Sequence, residues 1–125
     1  MLRLLMWLPS RLWTIWKWRG VFNEQLRQVQ AAGEWVADEL EANARQIRAP
    51  RYTLAVGQSS FEVRSEAWER HGPTLHALAR VEPELWEEVR GVYPLLRERG
   101  TDVSPEALDE LAARLRATMR SIRRF

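Results

Sequence analysis

A long amphipathic helix near the start of the chain is the strongest constraint that the sequence places on the fold. Positions suited to a helix interface recur in alternating steps of four and three residues: Phe22, Leu26, Val29, Gly33, Val36, Leu40, Asn43 and Ile47. This heptad pattern, called the seam below, predicts a helix of about 26 residues, or roughly 39 Å at 1.5 Å per residue. The seam fits closure against the chain's own later helices and equally pairing with a second copy.

Two positions of the seam are unusual for a helix interface. Gly33 has no side chain, so a partner helix can approach closely at this point. Asn43 places an amide on an otherwise apolar stripe. Either it is buried and fixes register or partner choice, or it lies at the edge of the seam and meets water.

Start and stop signals divide the remainder of the chain into shorter helices. Ser65 is the predicted N-cap of a short helix that Gly72-Pro73 breaks or kinks, and Pro83 opens a helix that runs to about Arg99 and stops at Gly100. Ser104-Pro105 opens the last helix, whose apolar stripe consists of Leu108, Leu111, Leu115, Met119 and Ile122. We therefore predict an all-α fold, a helical bundle with one long N-terminal helix.

The region between the first two helices has a weak strand pattern. Tyr52, Leu54 and Val56 alternate with small or polar residues, and Phe61 and Val63 alternate after a Gly-Gln-Ser-Ser stretch. This pattern is compatible with a small β-hairpin near residues 52–64. An irregular loop that places its apolar side chains beneath the helices fits the same residues.

Residues 1–20 form a separate Trp-rich, basic segment ahead of a helical domain at residues 21–125. Its indoles and cations suit a membrane–water interface, and the predicted membrane-contact residues are Trp7, Arg11, Trp13, Trp16, Lys17 and Trp18. Charged residues and Pro9 interrupt the apolar run, which argues against a spanning helix and a signal peptide. The alternatives are that these indoles lie in the protein core or in a contact between copies, or that the segment spans the membrane after all.

The net charge of the chain is +2, and its charged residues are distributed in three blocks. Residues 1–20 carry four cations and no acids, residues 21–113 carry ten arginines and all seventeen acids, and residues 114–125 carry five arginines and no acids. An acidic middle argues against a uniform nucleic-acid-binding surface. The last block contains a predicted phosphate-facing cluster: Arg116, Arg120, Arg123 and Arg124. The simpler interpretation is that these cations complement the C-terminus of the helix and keep it solvated.

No motif for catalysis, a metal or a cofactor was found in the sequence. There is no cysteine, and the only two histidines, His71 and His76, flank Gly72-Pro73 without metal-ligand spacing. The adjacent acids Asp38/Glu39 and Glu87/Glu88 diverge on a helix. Trp35, Trp68 and Trp86 have helical spacing and are expected in the core rather than around a ligand. We therefore expect no enzyme activity and no cofactor.

Three short segments resemble a family of small bacterial, often actinobacterial, proteins. They are Glu39-Leu40-Glu41-Ala42-Asn43, Ser65-Glu66-Ala67-Trp68-Glu69, and Glu84-Leu85-Trp86 through Val92-Tyr93. The resemblance covers about residues 39–96 and implies a membrane helix followed by a short, membrane-proximal, cytoplasmic helical domain. The interrupted residues 1–20 depart from this pattern, so either the anchor is interfacial or the true start codon lies upstream.

Together these patterns predict a non-enzymatic helical protein at the cytoplasmic face of a membrane, bound peripherally to anionic lipid and acting through protein–protein contacts. The alternative is a soluble, cytoplasmic interaction or regulatory protein whose Trp-rich segment packs on a partner or a second copy. Nucleic-acid association through the C-terminal arginines is the third and least favoured interpretation.

Overall fold

The computed structural model describes residues 23–49 and 62–122 of the chain. The described residues form five α-helices and a 3-10 turn at Gly100–Asp102. The helices are α1 (Asn23–Arg48), α2 (Glu66–Leu75), α3 (Leu78–Val81), α4 (Pro83–Arg99) and α5 (Pro105–Ile122). The helices pack around one hydrophobic core, which confirms the predicted all-α helical bundle.

The long helices alternate in direction. Arg48 at the end of α1 contacts Asp109 near the start of α5, and Gly33 of α1 lies against Met119 near the end of α5, so these two helices are antiparallel. In the same way α2 runs back along α1, because Asn43 contacts Arg64 while Trp35 contacts His71. The next long helix, α4, reverses direction again, since Trp86 contacts His76 at the end of α2 and Arg97 pairs with Glu69 in its first half.

The described part of the seam is covered by other helices of the same chain. Its apolar members Leu26, Val29, Val36 and Leu40 are buried, and the most extensive helix contact of the structure joins α1 to α5. The predicted apolar stripe of α5 is buried without exception. Ile47 is partly buried against the core, and Phe22 lies outside the described residues. The described seam is therefore not available for pairing with a second copy.

Gly33 allows the close approach that the sequence predicted. A Cβ atom at this position would overlap with the side chain of Met119, which is itself fully buried. The absence of a side chain at position 33 therefore sets the spacing between α1 and α5 at this level.

Of the two helix ends that glycines predicted, at Gly100 and at Gly72-Pro73, the structure shows only the one at Gly100. Gly100 ends α4 with a φ of 53°, a backbone conformation that glycine adopts without strain, so the predicted stop is confirmed. Of the predicted break or kink at Gly72-Pro73, the break is wrong, because α2 continues through both residues to Leu75. Pro73 is exposed near the end of α2, and it lacks the N–H that would donate to the carbonyl of Glu69.

Most of the predicted hairpin lies outside the described residues, which resume at Glu62. Residues 62–65 belong to neither a helix nor a strand and lead directly into α2. Val63 packs against the core from this connection, as predicted for the irregular alternative.

Candidate functional site

The N-terminus of α2 is capped by a carboxylate from another helix. Glu39 of α1 accepts hydrogen bonds from the backbone N–H of Ala67 at 2.7 Å and from that of Trp68 at 3.1 Å. These amides belong to the first turn of α2, where helical N–H groups have no partner within the helix. Ser65 occupies the predicted N-cap position, but its side chain makes no capping hydrogen bond. The capping group is therefore Glu39, whose negative charge also complements the helix dipole.

A third donor reaches the same carboxylate from α4. The Tyr93 hydroxyl donates to Oε1 of Glu39 at 2.7 Å, and both side chains are buried. Burial, together with this hydrogen bond to a carboxylate, raises the pKa of Tyr93 well above its ordinary value, since both favour the neutral phenol. One carboxylate thus connects α1, α2 and α4.

Aromatic rings surround this hydrogen-bonded cluster. Trp68 stacks on Tyr93 with ring centroids 5.1 Å apart and contacts Trp86 at 5.5 Å. His76 meets Trp86 edge to face at 5.1 Å. The predicted core location of Trp68 and Trp86 is confirmed, because Trp86 is buried and Trp68 is partly buried against the core.

The Asn43 side chain binds the backbone of residues 62–65, the connection that precedes α2. Its amide oxygen accepts from the backbone N–H of Arg64 at 2.9 Å, and its amide nitrogen donates to the Arg64 carbonyl at 3.0 Å. The side chain is fully buried, so the interpretation that Asn43 meets water at the edge of the seam is wrong. Its two bonds fix the register of the connection relative to α1, and Gln46 adds a bond from the Glu62 N–H at 3.2 Å.

These contacts form one wall of a surface groove between α1 and the start of α2. The groove has a volume of about 830 Å³. Its lining consists of Trp35, Asp38, Glu39, Ala42, Arg45, Gln46, Glu62, Val63, Arg64, Ser65, Glu66, Ala67, Arg70 and His71. Most of these side chains are polar or charged, and both signs of charge are present.

Trp35 is the exception to the expected burial of the aromatic residues. Its side chain is 58% exposed, and its ring stacks on that of His71 with centroids 6.0 Å apart and an interplanar angle of 11°. The prediction that Trp35 belongs to the core is therefore wrong. The neighbouring Arg70 lines the same groove. An exposed indole in a concave surface with charged groups around it is typical of a protein contact site.

Two of the four carboxylates that line the groove, Asp38 and Glu39, are engaged in structural contacts. Asp38 forms an ion pair with Arg116, whereas its neighbour Glu39 points inward to cap α2, so the predicted divergence of this acidic pair is confirmed. Within residues 23–49 and 62–122, no group of three or more His, Asp or Glu side chains could hold a metal ion. His71 and His76 contact different tryptophans. The groove thus offers aromatic stacking, hydrogen bonds and charge.

Arg116 does not face phosphate as the sequence suggested. Its guanidinium forms ion pairs with three carboxylates of α1, those of Glu34, Asp38 and Glu41. These acids recur along one face of α1 opposite α5, so this arginine is bound by ion pairs between the two helices. Arg120 is exposed on α5, while Arg123 and Arg124 lie outside the described residues.

The predicted membrane-contact residues Trp7, Arg11, Trp13, Trp16, Lys17 and Trp18 all lie outside the described residues. Their interfacial role stays a prediction from sequence. Among the helices of residues 23–49 and 62–122, none has the length and apolar character needed to cross a membrane.

The roles of Glu39 and Tyr93 were missed by the sequence analysis. One signal was present, since Glu39 and Asn43 are four residues apart and therefore share a face of α1. That signal was hard to interpret because a glutamate beside an apolar seam usually lies in water, and its partners are distant in sequence.

We predict that Glu39→Ala lowers the free energy of unfolding by about 3 kcal/mol or more, because it leaves two amides and a buried hydroxyl without their acceptor. Tyr93→Phe should cost about 1 kcal/mol in the wild-type background and less in the Glu39→Ala background. Urea unfolding followed by circular dichroism measures all three variants. Asp38→Ala is the matched control and should change stability by less than about 1 kcal/mol, since Asp38 is exposed. Equal costs for the two carboxylate variants would contradict the capping role.

Comparison of the chain with protein-family models, with curated proteins and with solved structures gave no match. The family resemblance of residues 39–96 stays an expectation from short motifs. The groove, the capped helix and the distribution of charge are therefore the observations on which a function can be based.

Proposed function

We propose that the chain is a non-enzymatic protein of an anionic membrane surface, which binds lipid through its Trp-rich N-terminal segment and a protein partner through the groove around Trp35. The observation that carries the membrane part is the separation of charge between the helical bundle and the segments that flank it. The observation that supports the protein contact is the exposure of Trp35.

All seventeen acids of the chain fall within residues 23–49 and 62–122, where they exceed twelve arginines and give a net charge of −5. The flanking residues 1–22 and 123–125 carry six cations and no acid, and the seventh remaining cation is Arg51. An anionic bilayer attracts the basic segments and repels the acidic bundle. The flanking segments are thus suited to lipid contact, and the bundle is suited to a position just off the surface.

The size of the expected lipid interaction is consistent with reversible binding. A cation near an anionic leaflet contributes about 1 kcal/mol, and burial of a large apolar side chain contributes about 1.5–3 kcal/mol. Residues 1–20 hold four cations and four tryptophans. Ordering of the segment and partial immersion reduce the sum, so we infer peripheral attachment that responds to salt.

The groove supports a protein contact better than a chemical reaction. Glu39, a carboxylate of its lining, already accepts three hydrogen bonds and is committed to the fold. Trp35 instead presents an exposed aromatic surface in a groove that Arg70 also lines. Tryptophan and arginine are among the residues enriched at interface hot spots. We infer a partner segment that covers the Trp35 ring with an apolar side chain and pairs its own charges with those at the rim.

We predict that the full chain co-sediments with vesicles of mixed phosphatidylserine and phosphatidylcholine, and that high salt or pure phosphatidylcholine weakens this binding. Deletion of residues 1–19 should abolish it, because the deletion removes the four tryptophans and the four cations. A Trp13→Ser/Trp16→Ser double variant should lose much of the binding with the bundle intact by circular dichroism. Unchanged binding by the deletion variant would contradict the lipid role of the segment.

We also predict that a photo-cross-linking residue at Ala42, which lines the groove, forms a discrete adduct with one protein in the native cells. Trp35→Ser should abolish this adduct, because the partner loses its main contact, while the fold is retained. Leu95→Ser, which changes another exposed large apolar residue, is the matched control and should preserve the adduct. An adduct that is insensitive to Trp35→Ser would contradict the proposed contact surface.

The exposure of Trp35 also favours a second candidate, a soluble interaction protein that uses the same groove without a membrane. Absence of vesicle binding by the full chain, together with an adduct that depends on Trp35, would select this candidate. Measurement of molecular mass over a range of concentrations then shows whether the partner is a second copy.

A further inference from the structure

The groove around Trp35 runs along one face of α1. Trp35, Ala42 and Gln46 line it from this helix, and each end is marked by a contact with the opposite wall. At one end Trp35 stacks on His71, and at the other end Gln46 accepts a hydrogen bond from the backbone N–H of Glu62. Trp35 and Gln46 are eleven residues apart in the sequence, or about 16 Å along the helix. A peptide of about five extended residues covers this distance.

The fold compensates, wholly or in part, the charge of three of the four carboxylates that line the groove. Asp38 pairs with Arg116, and Glu39 accepts three hydrogen bonds. Glu66 lies in the first turn of α2, where the helix dipole favours a negative charge. The fourth carboxylate is that of Glu62, at the opposite end of the groove from the indole. The negative charge of the lining is therefore mostly engaged in contacts within the chain.

The three arginines of the lining, by contrast, have no carboxylate partner in the described part of the chain. Arg45, Arg64 and Arg70 are exposed, and none of them forms an ion pair with an acid of residues 23–49 or 62–122. The arginines that do pair with acids in these ranges are Arg48, Arg90, Arg97, Arg114 and Arg116. The groove thus contains three guanidinium groups to which the described helices supply no anion.

These three arginines lie toward both ends of the groove. Arg70 precedes His71 in α2 and therefore lies at the end that holds the two stacked rings. Arg64 lies at the level of Asn43, which binds its backbone, and Arg45 follows Asn43 by two residues in α1. A guanidinium binds a carboxylate through two parallel N–H···O bonds, a geometry that lysine does not offer. Carboxylates spaced along a bound segment would therefore meet donors at each end of the groove.

We propose that the partner segment bound in this groove is acidic, so that it covers the Trp35 ring with an apolar side chain and places carboxylates on the three unpaired arginines. This inference names the chemistry of the partner and rests on the proposed protein contact. A nucleic-acid strand fits less well, because its evenly spaced phosphates would also lie against the acids between the two ends of the groove.

The overall charge of the bundle does not exclude an acidic partner. Seventeen acids and twelve arginines give residues 23–49 and 62–122 a net charge of −5. Charges on exposed surfaces that are more than about 10 Å apart are largely screened at 0.1 M salt, so the contact depends on the charges inside the groove. Solvation of the surface also explains exposed arginines without a partner, and the experiment below separates the two roles.

The test is a titration of the nitrogen-15-labelled full chain with two synthetic peptides of about six residues, followed by the NMR signal of the Trp35 indole N–H. One peptide has a central leucine and aspartates toward both ends, and the other has lysine in place of each aspartate. The acidic peptide should shift the indole signal saturably, and the lysine peptide should bind on the order of tenfold more weakly. Loss of the signal in Trp35→Ser assigns it.

A triple variant of the full chain tests the arginines themselves. Arg45→Gln/Arg64→Gln/Arg70→Gln should weaken binding of the acidic peptide on the order of tenfold, because it removes the guanidinium groups that the aspartates contact. Its helical content by circular dichroism should equal that of the wild type, since the three side chains are exposed and unpaired within the described residues.

The matched control is Arg27→Gln/Arg80→Gln/Arg99→Gln, which removes three exposed arginines that do not line the groove. It should bind the acidic peptide within about twofold of the wild type. Equal loss in the two triple variants would mean that binding follows net charge alone and would overturn the inference. Preference for the lysine peptide would overturn it as well, and so would tighter binding of single-stranded oligouridylate than of the acidic peptide.

The cross-linked adduct at Ala42 distinguishes this inference from the proposed function. An adduct that is lost in Trp35→Ser but unchanged in the groove triple variant would overturn the acidic partner and leave the proposed contact intact. Loss of the adduct in the groove triple variant, with retention in the matched control, would support the inference together with the peptide titration. Absence of both the adduct and peptide binding in the wild-type chain would overturn the inference and the proposed contact.

Discussion

One buried carboxylate connects three helices of the bundle by hydrogen bonds. Glu39 accepts hydrogen bonds from the first turn of α2, where the helix itself provides no acceptor, and a third from the Tyr93 hydroxyl of α4. A buried charge is costly unless it is fully hydrogen-bonded, and here three donors compensate it. Removal of the carboxylate would leave these three donors without their acceptor.

The groove is a consequence of that arrangement. Asn43, one turn after Glu39, fixes the backbone of Arg64, so the connection enters α2 along a defined path. That path positions α2 so that His71 stacks on Trp35 and leaves the outer side of the indole exposed. The residues that stabilise the bundle thus also shape the surface that we propose for a partner. Surface ion pairs such as Arg48–Asp109 add orientation more than stability.

The long helices could be predicted from the sequence, whereas the end of α2 and the short α3 could not, and the site could be predicted only in part. Periodicity, caps and Gly100 defined the helices because these signals are local along the chain. Exposure of Trp35, the cap by Glu39 and the pairing of Arg116 depend on which helices are neighbours, and a single sequence does not contain that information. Asn43 illustrates the limit, because its position on the seam was clear while its partner lies 21 residues away.

Native-state hydrogen exchange of the Ala67 and Trp68 amides tests the central role of Glu39 most directly. First-turn amides of a helix normally exchange rapidly, because no intrahelical acceptor protects them. The structure predicts that both amides exchange as slowly as the core of α1 in the wild-type chain, and that Glu39→Ala accelerates them far more than Asp38→Ala does. Rapid exchange of both amides in the wild-type chain, at the rate of an open helix end, would contradict the account.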